Sequence, residues 1–363
     1  MKIIYAHTTS VNYVRVKKNL DFFDSMGDEI IYYGAQREGQ EQDKLHEINK
    51  NFNNVKVSYY NKTIPHGIRS VFAFFGYIIN LNRLIKKEKP DYIIITNEEL
   101  YLALLFGIGK SKIILDAIDA IDIRVNVNSV FRGILYTFVK FVRNKVDSVV
   151  EVEEFRKNRF PIYANKTIVI RNTPNVFKFE NIENNFGNYI YASGSLNQDI
   201  NGIEQLIDAI ELVNKNSENT IQLLIAGIIK GEELLQKIKS KSFVKLLGYL
   251  SLKNSYMYAS NSISMFAFYR PDRLNFINAA PNKVYESFML GKPILINKEC
   301  LISELCINKG NGFQSIYYDH IKLAKKIQEI LELDLNKFEY LKYDFQNNDS
   351  WDIEKVKWSQ IIK

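Results

Sequence analysis

Strand-like runs alternate with helical stretches along this chain, and the alternation runs twice. KIIYA (2–6), EIIYYG (29–34), NVKVSYY (54–60), DYIIIT (91–96), KIILDA (112–117), DSVVEV (147–152) and KTIVIRN (166–172) are short β-branched or aromatic runs. Helical stretches at 13–24, 68–87 and 130–144 lie between them. Residues 173–187 break the pattern with Pro174, several Asn and no apolar periodicity, and read as a linker. The alternation then restarts with NYIYAS (188–193), TIQLLIAG (220–227), FVKLLG (243–248), SISMFAF (262–268) and PILIN (293–297). Helical stretches at 202–214, 232–239, 255–259, 283–290 and 321–333 separate these. Such spacing means parallel sheets with helices on both faces. The expected fold is therefore α/β: two doubly wound, Rossmann-like domains, 1–172 and 188–345, facing a cleft where the carboxyl-end loops bind ligands.

The remaining bulk properties narrow the function classes. A chain of 363 residues suits two such domains. Cys300 and Cys306, close together in an expected helix, are too few for a disulfide framework. The scattered His7, His46, His66 and His320 offer no zinc ligand spacing, so no metal site is expected. The opening residues show no basic region followed by a long apolar one, and the most apolar window, 71–81, is too short to span a bilayer. The expectation is a cytoplasmic protein, with peripheral docking on the inner face of the plasma membrane left open. Residues 1–175 hold 26 Lys and Arg against 19 Asp and Glu, whereas residues 176–363 hold 22 of each. The basic half is thus expected to face something anionic. Its stretches at 68–89 and 130–145 mix aromatics with Lys and Arg, as surface-bound membrane helices do; ordinary core helices with solvated ends are the alternative. An excess of only +7 with no recognised module argues against a nucleic-acid partner.

The chemistry concentrates in residues 268–293, FYRPDRLNFINAAPNKVYESFMLGKP. Amides at the start of a helix and the Lys283 side chain would face phosphates, and Glu286, one turn on, could accept hydrogen bonds from a ribose diol. No Gly-x-Gly-x-x-Gly follows either first strand and no Walker motif occurs, which argues against a nicotinamide-dependent dehydrogenase or a P-loop NTPase. Asp-x-Asp is also absent, so the diphosphate site is expected to work without a metal. Asp116, Asp119 and Asp122 follow a strand at spacings of three and should lie at its carboxyl end. A carboxylate there could serve as a general base toward a bound hydroxyl, and Asp119 is the first choice of the three. His7, at the end of the first strand, has the same placement but suits a structural or orienting role.

The chain resembles the GT-B glycosyltransferases, in particular the family-4-like enzymes of bacterial surface-polysaccharide biosynthesis. NYVRVKKNLDFFDSMGDEIIYYG, KIILDAIDAID, VDSVVEVEEFRKN…KTIVIRNTPN, YASGSLNQDINGIEQLIDAI, VKLLGYLSLKNSYMYASNSISMFAF and, most specifically, PNKVYESFMLGKPILIN carry the resemblance. It implies sugar transfer from a nucleotide-diphosphate sugar, UDP- or GDP-linked, to a saccharide acceptor of the polyprenyl-diphosphate-linked kind, with no cofactor. The donor would bind the second domain and the acceptor the first. By the same resemblance Glu286 grips the ribose and Lys283 meets the pyrophosphate. Gly194 and Ser195 form a glycine turn at the phosphates, Tyr249 holds the base, and Arg270, Asn278 and Asn282 complete the donor set. Many relatives carry a second glutamate eight positions before the ribose one; here that position is Asn278. The final helix, 346–363, is expected to cross back onto the first domain. A UDP-sugar epimerase of the same fold and a non-catalytic partner subunit are the alternatives.

Overall fold

β1 (Lys2–Ala6) is buried at every position after the first, and β4 (Tyr92–Thr96) is buried throughout. Strands apolar on both faces need cover on both sides, which parallel sheets with crossover helices supply. The computed structural model describes residues 1–38, 51–65, 69–177, 186–216 and 220–363. The chain divides into two units, Met1–Arg171 with Lys355–Lys363, and Asn172–Glu354.

In unit 1, β1, β2 (Glu29–Gly34), β3 (Val55–Tyr59), β4, β5 (Lys112–Ala117), β6 (Ser148–Glu151) and β7 (Thr167–Val169) form one sheet in the order β3-β2-β1-β4-β5-β6-β7. All its pairings are parallel. Helix α1 (Val14–Ser25) follows β1. Helices α2 (Arg69–Glu88) and α3 (Ser129–Lys145), with the 3₁₀ segment Glu98–Leu104, share one core through Tyr77, Leu81, Leu104 and Val142. Asn128 caps α3 by accepting from the Phe131 amide at 3.0 Å.

The chain end rejoins this unit. Trp358 is fully buried, packs edge-on to Phe23 of α1 at 5.3 Å and donates from Nε1 to Asn19 Oδ1 at 3.1 Å. The expected single closing helix is two pieces, Trp351–Lys355 and a 3₁₀ turn Val356–Gln360, and the return begins at Lys355 rather than residue 346.

Unit 2 repeats the scheme with β8 (Tyr189–Asn197), β9 (Gln222–Lys230), β10 (Val244–Gly248), β11 (Ser264–Ala267), β12 (Ile294–Asn297) and β13 (Gly312–Ser315), ordered β10-β9-β8-β11-β12-β13 and all parallel. Its helices are α4 (Ile203–Lys215), α5 (Glu232–Lys239), α6 (Leu252–Asn261), α7 (Asn282–Leu290) and α8 (His320–Leu331). The core joins Ile207 and Ile210 of α4, Leu223 and Ile225 of β9 and Ile327 of α8. Cys300 lies in the turn before the short helix Ser303–Asn308 rather than within it; Cys300 and Cys306 are buried free thiols. Part of the expected linker, 178–185, and both His46 and His66 fall outside the described residues.

The turn expected at Gly194 and Ser195 is instead strand. β8 runs to Asn197 with β9 beside it, and Gly194 pairs with Gly227. Both glycines have positive φ, +109° and +113°, and a β-carbon on Gly227 would fall 2.1 Å from the Gly194 carbonyl oxygen. Only glycine allows this approach without displacing backbone.

Candidate active site

Within unit 2 the chain moves outward from β8 to β9 and β10, then returns to lay β11 on the other side of β8. Such a reversal opens a crevice at the carboxyl ends of the two central strands. Here β11 pairs with β8 only at Ile190 and Tyr191, while β9 follows β8 to its end. From Ala192 onward one edge of β8 is therefore free of β11.

Helix α7 supplies side chains beside that edge. Pro281 precedes its first residue, and Gly291, left-handed at φ 61°, ends it. Val284, Tyr285 and Phe288 bury one face and leave Lys283 and Glu286, one turn apart, partly exposed. Lys283 reaches β8: a β-carbon at Gly194 would lie 3.2 Å from its Nζ. Burial lowers the Lys283 pKa, and the nearby Glu286 carboxylate opposes that shift. Glu286 in turn sits among tyrosines. Burial first, and its charge after, raises Tyr191 to about 12 and lifts Tyr256 and Tyr269 further. The Tyr191 hydroxyl and Ser255 Oγ are 2.8 Å apart. The result is a cation against a glycine backbone, with a carboxylate one turn away whose charge acts on Tyr191, Tyr256 and Tyr269.

The other expected donor residues are distributed around this centre. Ser195 is exposed on β8 next to Gly194. Asn282 opens α7 and accepts from Asn172 Nδ2 at 3.1 Å. Asn278 is buried at the end of the helical turn Leu274–Ile277, where its Nδ2 donates to the Leu274 carbonyl at 2.9 Å. Arg270 follows β11; its amide donates to Ile200 at 2.9 Å and its guanidinium pairs with Asp272 at 2.9 Å, while Nε is buried without a partner. Tyr249, after β10, is 86% exposed, and no hydrogen bond or ring contact among the described residues ties it to Lys283 or Glu286. Sequence reasoning missed Tyr191, Ser255, Tyr256 and Tyr269. The tyrosines read as packing residues, and only the fold brings Ser255 to Tyr191 and the three phenols within the field of Glu286.

In unit 1 the three aspartates separate. Asp116 is not in the turn but inside β5, fully buried, where Arg15 Nη2 donates to it at 2.6 Å and the Tyr5 hydroxyl at 3.0 Å. With both oxygens so engaged it has no face for a substrate. Asp122 is 2% exposed and bonded to Arg159. Both therefore depart from the expected acidic turn for the same reason: each neutralises a neighbouring arginine. Asp119 alone keeps an accessible carboxylate, 39% exposed, with Arg156 3.4 Å away. His7 is buried, and burial plus the charges of Arg37, Arg124 and Arg15 lower its pKa to about 3.

Residues 175–346, nearly all of unit 2, match the family described as glycosyl transferases group 1. The chain has the GT-B fold, and its second unit matches a glycosyltransferase family. No curated protein matches it in sequence. Among solved structures it is similar to sucrose-phosphate synthase from Thermosynechococcus elongatus, at 12% identity and TM-score 0.75, covering 99% of this chain and 98% of that one. It is likewise similar to Anabaena HepE in complex with UDP and glucose, at 15% identity and TM-score 0.73, covering 100% and 99%. A glycosyltransferase from Rickettsia africae follows at 16% identity and TM-score 0.70, covering 99% and 97%. At these identities the likeness establishes the fold alone.

Proposed function

We propose that the transferase moves a sugar from a nucleotide-diphosphate sugar, bound in unit 2, to a saccharide acceptor held by unit 1, in polysaccharide or glycan biosynthesis. The observation that carries this reading is the Lys283 ammonium against the Gly194 backbone, with Glu286 one turn along α7. A cation and the first amides of a nine-residue helix suit a diphosphate, and a carboxylate suits a ribose diol. UDP is the first donor nucleotide to try, because the HepE structure holds UDP and glucose.

Lys283, Arg270 and the α7 amides would carry the diphosphate charge without a metal. Asp119, the accessible member of its trio, would take the proton from the acceptor hydroxyl as that oxygen bonds the sugar carbon and the bond to the diphosphate breaks. The acceptor is lipid-linked in this reading, and unit 1 meets an anionic membrane surface through α2 and α3. Among the described residues no helix is long and apolar enough to cross a membrane.

A thermal-shift series with UDP, GDP and their sugars tests the donor half. UDP or GDP should raise the melting temperature, and Glu286→Ala should abolish most of the rise. Incubation with acceptor should then release nucleoside diphosphate, unaffected by EDTA. A mass spectrum showing an isomerised sugar nucleotide instead of transfer would overturn the reading.

A further inference from the structure

Thr96 pairs with Asp116 near the carboxyl ends of β4 and β5, and the Asn97 amide carries the ladder one bond further by donating to the Asp116 carbonyl at 3.1 Å. There the chain turns away. Asn97 stands at φ 64° and ψ 161°, a conformation that glycine takes freely and other residues take only under strain. It is also buried, at 6% exposure. A glycine here would relieve the backbone, so the reason for an asparagine lies in its side chain.

Among the described residues that side chain makes one bond: its Oδ1 accepts from the Asp119 amide at 2.9 Å. The next residue repeats the device. Glu98, fully buried, accepts through Oε2 from the Ile121 amide at 3.2 Å. Arg156, from the helical turn Glu154–Lys157, donates to the Ile118 carbonyl and lies 3.4 Å from the Asp119 carboxylate. The turn 118–121 is thus gripped at Ile118, Asp119 and Ile121, and it carries the one accessible carboxylate of the acidic trio. Strain at a buried residue persists only where its surroundings over-determine it. A carboxylate that must meet a reacting oxygen gains from such fixing, because a misplacement of about 1 Å can cost a hundredfold in rate.

We propose that Asn97 is a positioning residue for the transfer step. Through the Asp119 amide it holds the Asp119 carboxylate where an acceptor oxygen can deliver its proton. The inference rests on the reading of Asp119 as the base, given above, and adds the residue on which that placement depends. Glu98 holds the far end of the same turn.

Asn97→Gly is the deciding variant, because it keeps the backbone path, relieves the strain and removes the accepting oxygen. Amide hydrogen exchange of the free protein should speed up about tenfold or more at Asp119 and stay as in wild type at Ile121, which Glu98 still holds. Nucleoside diphosphate release from UDP-glucose and GDP-mannose, with water as the acceptor, reads the second effect. Its kcat should fall about ten- to a hundredfold with KM kept within about twofold, since the donor residues belong to unit 2. The melting temperature should stay within about 2 °C of wild type, because the relieved strain offsets the lost bond. Asn97→Asp keeps an oxygen at the same reach and should recover most of the exchange protection and part of the turnover. Unchanged exchange at Asp119 in Asn97→Gly would overturn the clamp. Wild-type kcat in Asn97→Gly, alongside an inactive Asp119→Asn, would overturn the positioning role. So would a loss of turnover that only follows a lowered melting temperature, which marks a residue of structure alone. Asp119→Asn with wild-type turnover, or a wild type that releases no nucleoside diphosphate, would instead remove the reading on which the proposal rests.

Discussion

Lys283 can lie along β8 only because residue 194 has no side chain. A β-carbon there would press on the ammonium at 3.2 Å, and the φ of +109° is one that other residues adopt at a cost of about 1–3 kcal/mol. Gly194→Ala should therefore weaken nucleotide binding as well as stability, whereas Lys283→Met should weaken binding about ten- to a hundredfold with the melting temperature nearly kept. Calorimetry beside a melting curve separates the two. His7 gives a second test at this scale. Its pKa is about 3 when folded against an ordinary 6.5, so between those values the unfolded chain binds more protons. Stability from keeping His7 neutral is thus present above pH 6.5 and is lost as pH falls toward 3. The stability difference between wild type and His7→Gln, measured by urea unfolding, should move against wild type between pH 7 and pH 5. Burial sets the direction of the His7 shift, and the charges of Arg37, Arg124 and Arg15 add to it.

At the scale of elements, α2 and α3 present outward stripes that packing does not use. Phe72 and Phe75 of α2 are 76% and 53% exposed, and Arg69, Ile79, Arg83 and Lys86 continue the same stripe. Val130, Phe131 and Ile134 stand out from the first turns of α3. The paired substitution Phe72→Ser, Phe75→Ser should leave the melting temperature within about 1 °C, since neither ring is core, and should cut flotation with anionic liposomes severalfold at low salt. Undiminished flotation would remove α2 from the membrane surface. Both helices were legible in the sequence, because their buried stripes (Tyr77, Ile78, Leu81 and Ile85 in α2) have helical spacing. The central strands were legible as continuous apolar runs. The end of β8 was not, because SGSLN has no strand-former pattern and pairs only through its partnership with β9. β13 was missed for a similar reason: GFQS is short, and its place at the sheet edge comes from β12. At the donor site Lys283 and Glu286 could be read locally from helix spacing. The Tyr191 phenol and the burial of Asp116 depend on residues more than 60 positions away, as Tyr191–Ser255 and Arg15–Asp116 show.

At the scale of the whole molecule, unit 1 is closed by a segment that the chain supplies last. Trp358 donates to Asn19, Asn19 donates to the Tyr5 hydroxyl at 3.0 Å, Tyr5 donates to Asp116, and Asp116 accepts from Arg15, which also holds the Ile170 carbonyl at 2.9 Å. The relay is buried from end to end, so each member depends on the next for its hydrogen bonds. Two substitutions probe it from opposite ends. Asp116→Ala leaves Arg15 charged and unpaired in the core and should cost about 3–5 kcal/mol. Trp358→Ala leaves a cavity beside Phe23 and an unpaired Asn19, and should cost about 3–5 kcal/mol as well. Their effects should be less than additive, because either change breaks the same chain of bonds. The relay lies within unit 1, whereas the donor residues belong to unit 2. Hydrogen exchange should therefore speed up in β1, β4, β5 and α1 in both variants, with UDP still protecting β8 and α7 as in wild type. Loss of UDP protection in Trp358→Ala would mean that the returning segment supports the donor site too, and that the two units do not keep their stabilities apart.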